Sequence, residues 1–142
     1  MNIGSVGVVG GGTMGAGIVY TLSSFGIPVI FKDLNEDLLK KCQGQVGQLY
    51  ASAMKKGKIT EEEVKKGLAL IKGRTDYQGF ERIDLVIEAV PEDIGIKKAV
   101  FQEMDRFCKP EAIFASNTSA LPISELASFT QRRSRFIGMH WF

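Results

Sequence analysis

Apolar and polar positions follow two rhythms along the chain. Short continuous apolar runs at residues 6–9, 27–31, 85–90, 112–115 and 136–139 read as buried strands, and 71–74 as a poorer, shorter one. Between them lie stretches whose apolar residues recur three and four apart. These predict helices over 14–25, 36–56, 61–70 and 123–127, and one that leaves the turn Pro91-Glu92-Asp93 and runs to Cys108. The second helix has its apolar stripe at Leu38, Leu39, Cys42, Val46, Leu49, Tyr50 and Ala53, interrupted by Gly44 and Gly47. Asn35 or Asp33 is placed to cap it. Thr60 and Glu63 form a capping-box pattern ahead of the third helix. The fourth shows its stripe at Ile94, Val100, Phe101, Met104 and Phe107, whereas residues 77–80 are too few for a full crossover helix.

Strands that alternate with helices imply a parallel sheet covered on both faces. The expected fold class is α/β, a Rossmann-type doubly wound parallel sheet with an extra helical excursion between strands two and three. In such a sheet ligands lie beyond the carboxyl ends of the strands. Asp33, Glu88, Glu92, the loop Ser116-Asn117-Thr118-Ser119 and His140 all follow strands, so one sheet edge should collect them.

Composition narrows the picture. At 142 residues with 44% hydrophobic content the chain reads as one domain with room for a core. Its 18 basic and 16 acidic residues are interspersed for a net +2, which is no nucleic-acid signature. Local clusters occur at Lys55, Lys56 and Lys58 and at Arg132, Arg133 and Arg135. Cys42 and Cys108 sit in helical patterns without metal-ligand spacing and read as reduced, partly buried thiols. No metal is expected. With no apolar run of membrane-spanning length and no room for a leader before the first strand, a cytoplasmic location without membrane partners is expected.

The candidate chemistry begins at Gly10-Gly11-Gly12-Thr13-Met14-Gly15. The spacing G-x-G-x-x-G follows a strand and opens a helix. Gly10 permits the tight turn, Gly12 a close backbone approach to a pyrophosphate, and Gly15 close helix–sheet packing. Asp33, just past strand two, can take both hydroxyls of an adenosine ribose and repels a 2′-phosphate, which favours NAD over NADP. His140, the single histidine, suits a general base because its pKa lies near neutrality. Ser119 can hydrogen-bond the same substrate oxygen, although a serine-rich loop also serves simply to cap a strand. Glu92 and Lys97 sit in the first turns of the fourth helix, where an acid gains from the helix dipole and a lysine ordinarily faces water. Lys55 and Lys56 could seat phosphates of a large anionic substrate. No G-x-S-x-G elbow is present.

Four segments in order carry a resemblance: the glycine turn, Asp84-Leu85-Val86-Ile87-Glu88-Ala89-Val90, Ser116-Asn117-Thr118-Ser119, and Gly138-Met139-His140-Trp141-Phe142. Together they resemble the NAD-binding domain of the L-3-hydroxyacyl-CoA dehydrogenases, including 3-hydroxybutyryl-CoA dehydrogenases, from about residue 3 onward. The resemblance implies His140 as general base and Ser119 as the residue orienting the substrate oxygen. It implies a cofactor set of Gly10, Gly12, Thr13, Met14, Gly15, Asp33, Glu92, Lys97 and Asn117. Lys56, with Lys55 beside it, would help to hold the CoA of an acyl-CoA substrate.

The family's final motif is typically H-F-F-N-P, whereas this chain has His140-Trp141-Phe142. A helical domain expected to close over the acyl chain, to supply a carboxylate for the histidine and to form a homodimer is absent from residues 1–142. The resemblance therefore implies an NAD-binding portion of the enzyme, able to bind NAD but with weak or no turnover alone. Two other functions fit the same fold: a dehydrogenase of a free 3-hydroxy acid, and a non-catalytic dinucleotide-binding module.

Overall fold

The structure, a computed structural model, describes residues 2–142. Six strands form one parallel sheet: β1 (Val6–Val9), β2 (Val29–Lys32), β3 (Ile71–Arg74), β4 (Leu85–Glu88), β5 (Ile113–Ser116) and β6 (Phe136–Gly138), in the order β3-β2-β1-β4-β5-β6. This is the doubly wound order, and the winding reverses between β1 and β4. Register is continuous there, with Val6 opposite Leu85 and Val9 opposite Glu88.

The sheet divides two cores because alternate strand residues face opposite sides. Val8, Phe31 and Ile87 face Ile18 and Val19 of α1 (Thr13–Ser24) and Cys42, Val46 and Tyr50 of α2 (Glu36–Lys55). Val86 and Phe114 face Phe101 and Met104 of α4 (Ile94–Phe107) and Leu126 of α5 (Ile123–Ser128). Each fully buried side chain of this size stabilises the fold by about 1.5–3 kcal/mol relative to exposure. The excursion between β2 and β3 is α2 followed by α3 (Glu61–Ala69), and α3 starts in a complete capping box between Thr60 and Glu63. The β3–β4 crossover holds only a 3₁₀ turn at Phe80–Arg82. The Phe80 ring reaches the sheet because Gly7 has no side chain: a Cβ there would lie 2.7 Å from it.

The structure decides one sequence alternative and corrects several expectations. Asn35 caps α2, accepting from the Leu38 amide, whereas Asp33 bonds elsewhere. Leu49 is 39% exposed, so the buried face of α2 is Leu39, Cys42, Val46, Tyr50 and Ala53. α2 runs unbroken through Gly44 and Gly47, and nothing lies within 4 Å of a Cβ placed at either. On α4, Ile94 and Phe107 are exposed, and the buried face runs Lys97, Phe101, Met104. Arg132 is not part of a surface basic cluster. It is buried against Asp105 at 2.7 Å, donates to the carbonyls of Lys109 and Ala112, and lies over the Phe114 ring. Cys42 and Cys108 are buried and unpaired. Among the described residues no helix is long and apolar enough to cross a membrane.

Candidate active site

The glycine turn lies at the carboxyl end of β1, next to the winding reversal. Gly10 has φ +99, and a Cβ on it would meet the Ala89 carbonyl oxygen at 2.7 Å, so two independent constraints demand glycine. A Cβ on Gly15 would stand 1.8 Å from the Gly10 oxygen, which shows how tightly α1 is seated. Gly12 differs from both. It is the N-cap of α1, no side chain caps the helix, no acid sits in its first turn, and nothing lies within 4 Å of a Cβ placed there. The amides at this end point into open space beside an exposed glycine and an exposed Thr13, an arrangement that accepts an anion. A pyrophosphate fits it.

Asp33 completes the fit for NAD. The Gly11 amide donates to Asp33 Oδ2 at 2.8 Å and the Leu34 amide to Oδ1 at 2.9 Å. Each oxygen is thus held by one donor and keeps acceptor capacity for a ribose diol.

Beyond β4, β5 and β6 a cavity of about 260 Å³ brings together Met14, Glu92, Lys97, Asn117, Ser119 and His140, with Ala89, Val90 and Trp141 in its wall. Backbone bonds place His140. The Met139 amide donates to the Ser116 carbonyl at 2.9 Å and the Trp141 amide to Asn117 Oδ1 at 3.0 Å, so the residue between them is held from both sides. His140 is exposed and forms no ion pair among the described residues. Ser119, also exposed, donates its amide to Glu92 Oε2 at 3.2 Å, which leaves its hydroxyl free to face the cavity.

The electrostatics centre on Lys97. This lysine is buried, against the sequence expectation of a solvated face, because its ammonium lies 2.5 Å from Glu88 Oε2. It also donates to the Val90 carbonyl and lies 3.6 Å from Glu92 Oε1. Glu92 precedes α4, whose cap is Asp93, rather than occupying its first turn. Its carboxyl is held below the usual range, first by the Thr118 hydroxyl at 2.6 Å, then by the Ser119 amide and Lys97. Glu88 is fully buried and receives the Ser116 hydroxyl on Oε1 and the Val90 amide on Oε2. Removing one partner from a buried ion pair of this kind costs about 3–5 kcal/mol.

Gly10, Gly12, Thr13 and Gly15 belong to the turn and helix start adjoining the cavity rather than to its wall, and Asp33, after β2, is bonded to that turn through the Gly11 amide. Lys55 and Lys56 are not brought to it. They are exposed at the far end of α2, whose 20 residues span ~30 Å. The sequence places Glu88, Ser116 and Thr118 at this sheet edge but gives them no specific role; the signal for Glu88 is a carboxylate inside an apolar strand, which requires a buried partner. Among the described residues no group of three or more His, Cys, Asp and Glu is arranged to hold a metal ion.

The family profile described as "3-hydroxyacyl-CoA dehydrogenase, NAD binding domain" matches residues 5–142. The chain is 39% identical over 140 residues to the glyoxysomal fatty acid beta-oxidation multifunctional protein MFP-a of Brassica napus, covering 99% of this chain and 19% of that protein. Among solved structures it superposes on (S)-3-hydroxybutyryl-CoA dehydrogenase PaaH1 from Ralstonia eutropha with a TM-score of 0.96 at 38% identity, over 99% of this chain and 50% of that one. FadB2 of M. tuberculosis gives a TM-score of 0.97 at 37% identity, over 100% of this chain and 50% of that one.

Proposed function

The chain belongs to the 3-hydroxyacyl-CoA dehydrogenase family, as its NAD-binding domain, and from that premise we propose that it is the cofactor-binding portion of an NAD-dependent enzyme interconverting L-3-hydroxyacyl-CoA and 3-ketoacyl-CoA. It spans half of the solved relatives and about a fifth of the plant protein, so turnover belongs to a longer protein. The same proposal gives that protein a helical domain outside residues 1–142, and through it a homodimer. A cytoplasmic setting is also proposed, supported by the two free thiols, although the matched plant relatives are named glyoxysomal and peroxisomal.

The observation that carries the proposal is the convergence of Ser119 and His140 on one cavity beside the helix N-terminus that fits a pyrophosphate. The open amides at Gly12, Thr13 and Met14 take the phosphates, and Asp33 takes the adenosine ribose. Bound NAD would supply the hydride acceptor at the cavity. Glu92, Lys97 and Asn117 form the wall against which the nicotinamide end is positioned. The Ser119 hydroxyl donates to the substrate oxygen and fixes its direction. Imidazole nitrogen of His140 then takes the hydroxyl proton in oxidation and returns it in reduction. Lys55 and Lys56 lie outside the cavity and are assigned to the remote CoA phosphates.

The test follows NADH oxidation by the full-length protein with acetoacetyl-CoA, free acetoacetate and NADPH in parallel. Oxidation of NADH that requires the CoA ester supports the proposal. Oxidation with free acetoacetate alone supports a free hydroxy-acid dehydrogenase, and NADH binding without turnover of either leaves a binding module.

A further inference from the structure

Behind the cavity lining lie two buried side chains, Glu88 and Ser116, that take no part in the lining itself. Glu88 ends β4 and is entirely excluded from solvent, as is Ser116 at the end of β5. A carboxylate in that position persists only if it is paired and hydrogen-bonded on both oxygens. It is: Oε1 takes the Ser116 hydroxyl at 2.6 Å, and Oε2 takes the Val90 amide at 2.8 Å and the Lys97 ammonium at 2.5 Å. Lys97 then touches Glu92, 3.6 Å away. Glu92 in turn receives the Thr118 hydroxyl and the Ser119 amide. Ser116 also closes the loop from its other side, since its hydroxyl oxygen accepts the Thr118 amide at 3.2 Å. The serine loop after β5 is therefore fixed at two points, and both lead back to Glu88.

We infer that Glu88 and Ser116 are positioning residues: a buried relay Glu88–Lys97–Glu92, closed through Ser116 and Thr118, sets the backbone of Ser119 and so the direction of its hydroxyl. Glu88 itself lines no part of the cavity, and its side chain reaches the proposed nicotinamide wall only through Lys97. Two carboxylates share one ammonium, so the lysine stays between them while Glu88 holds its share. With Glu88 neutral, the ammonium moves wholly to Glu92, and Glu92 is drawn off the Thr118 hydroxyl and the Ser119 amide. The loop loses its acceptor although no loop residue has changed. A misplacement of ~1 Å at a reacting group lowers turnover by up to about 100-fold. The catalytic part of this inference rests on the dehydrogenase proposal above; the structural part does not.

The test uses two readouts. In the ¹⁵N-labelled chain, hydrogen exchange at the Ser119 and Thr118 amides is compared among the parent, Glu88→Gln and Ser116→Ala. Exchange at Ser119 should accelerate about 10-fold or more in Glu88→Gln, beyond any change at amides of β1 and α1, and in the same direction but less in Ser116→Ala. Folded spectra with unaltered Ser119 exchange in both variants would overturn the relay. Should Glu88→Gln fail to fold, Ser116→Ala, which keeps both charges, decides alone. In the full-length protein, kcat with acetoacetyl-CoA should fall about 10-fold or more in Glu88→Gln, a larger change than that in the NADH dissociation constant, because Lys97 and Glu92 shift within the nicotinamide wall while the phosphate and ribose seats stay intact. The kcat losses of Glu88→Gln and Lys97→Met should combine to less than their product in the double variant Glu88→Gln/Lys97→Met, since one of the two branches from Glu88 passes through the lysine. Losses that multiply, or a loss confined to NADH affinity, contradict the inference. If the parent turns over no acyl-CoA, the dehydrogenase proposal fails and the amide readout still judges the relay.

Discussion

Two glycines in one turn, separated by three positions, should fail in different ways when each gains a methyl group. At Gly15 the added Cβ would stand 1.8 Å from the Gly10 oxygen, whereas a carbon–oxygen contact needs about 3.3 Å. The first turn of α1 must therefore retreat by ~1.5 Å from the Gly10 carbonyl in the turn it packs on. Overpacking of this kind costs about 1–3 kcal/mol, and the better helix propensity of alanine returns at most ~1 kcal/mol. Gly15→Ala should thus lower the urea midpoint by roughly 1 M at an m-value of about 1–3 kcal/mol/M, and NADH binding should weaken with it. At Gly12 nothing lies within 4 Å of the new atom. Stability should change by under about 1 kcal/mol, the difference between glycine and alanine at an N-cap. The methyl group occupies the space proposed for the pyrophosphate, so NADH affinity should fall tenfold or more, a loss of ~1.4 kcal/mol. Urea unfolding followed by circular dichroism and NADH fluorescence titration separate the two. Unchanged NADH affinity in Gly12→Ala would refute the phosphate seat; full stability in Gly15→Ala would refute the packing argument.

Three other outcomes follow from the same structure. Asp33→Asn removes the charge held by the Gly11 and Leu34 amides, so the preference for NADH over NADPH should shrink by about tenfold or more in parallel titrations. Burial pushes the thiols of Cys42 and Cys108 up to about 12, so a thiol reagent at pH 8 should modify the native chain only as fast as it unfolds; immediate labelling of either cysteine would contradict their burial. Asp84 is held below the usual carboxylate range by the Lys109 ammonium and the Gly4 amide. Its contribution to stability is complete above the unfolded carboxyl pKa of about 3.9 and is lost as pH falls through the lower folded value. Urea midpoints across that acid range should therefore decline less steeply in Asp84→Asn than in the parent.

Much of this architecture was legible because buried parallel strands are continuous apolar runs and the helices between them carry caps. Even β3 could be placed at residues 71–74, although Lys72 and Gly73 make it a weak pattern; it survives as an edge strand paired only with β2. Asp33, Ser119 and His140 could be assigned to one edge because each follows a strand. Lys97 could not be understood from its helix alone. Its spacing with Phe101 and Met104 already put it on the buried face, but a lysine is accepted there only through Glu88, which belongs to a different element. Ile94 and Phe107 looked like part of the apolar stripe for the converse reason. Hydrophobicity marks what could be buried, and the helix's roll on the sheet decides which residues are. Arg132 repeats the lesson: a basic triplet in sequence hides one arginine whose partners, Asp105 and two carbonyls, come from α4 and the turn after it.

The central claim, that His140 moves the hydroxyl proton at this sheet edge, is tested most directly by comparing the full-length protein with its His140→Ala variant, using acetoacetyl-CoA and NADH. In the variant kcat should fall about 10²–10⁴-fold, the usual contribution of a general acid–base, with NADH affinity and the unfolding midpoint unchanged. Turnover within a few-fold of the parent, with NADH still bound, would contradict it.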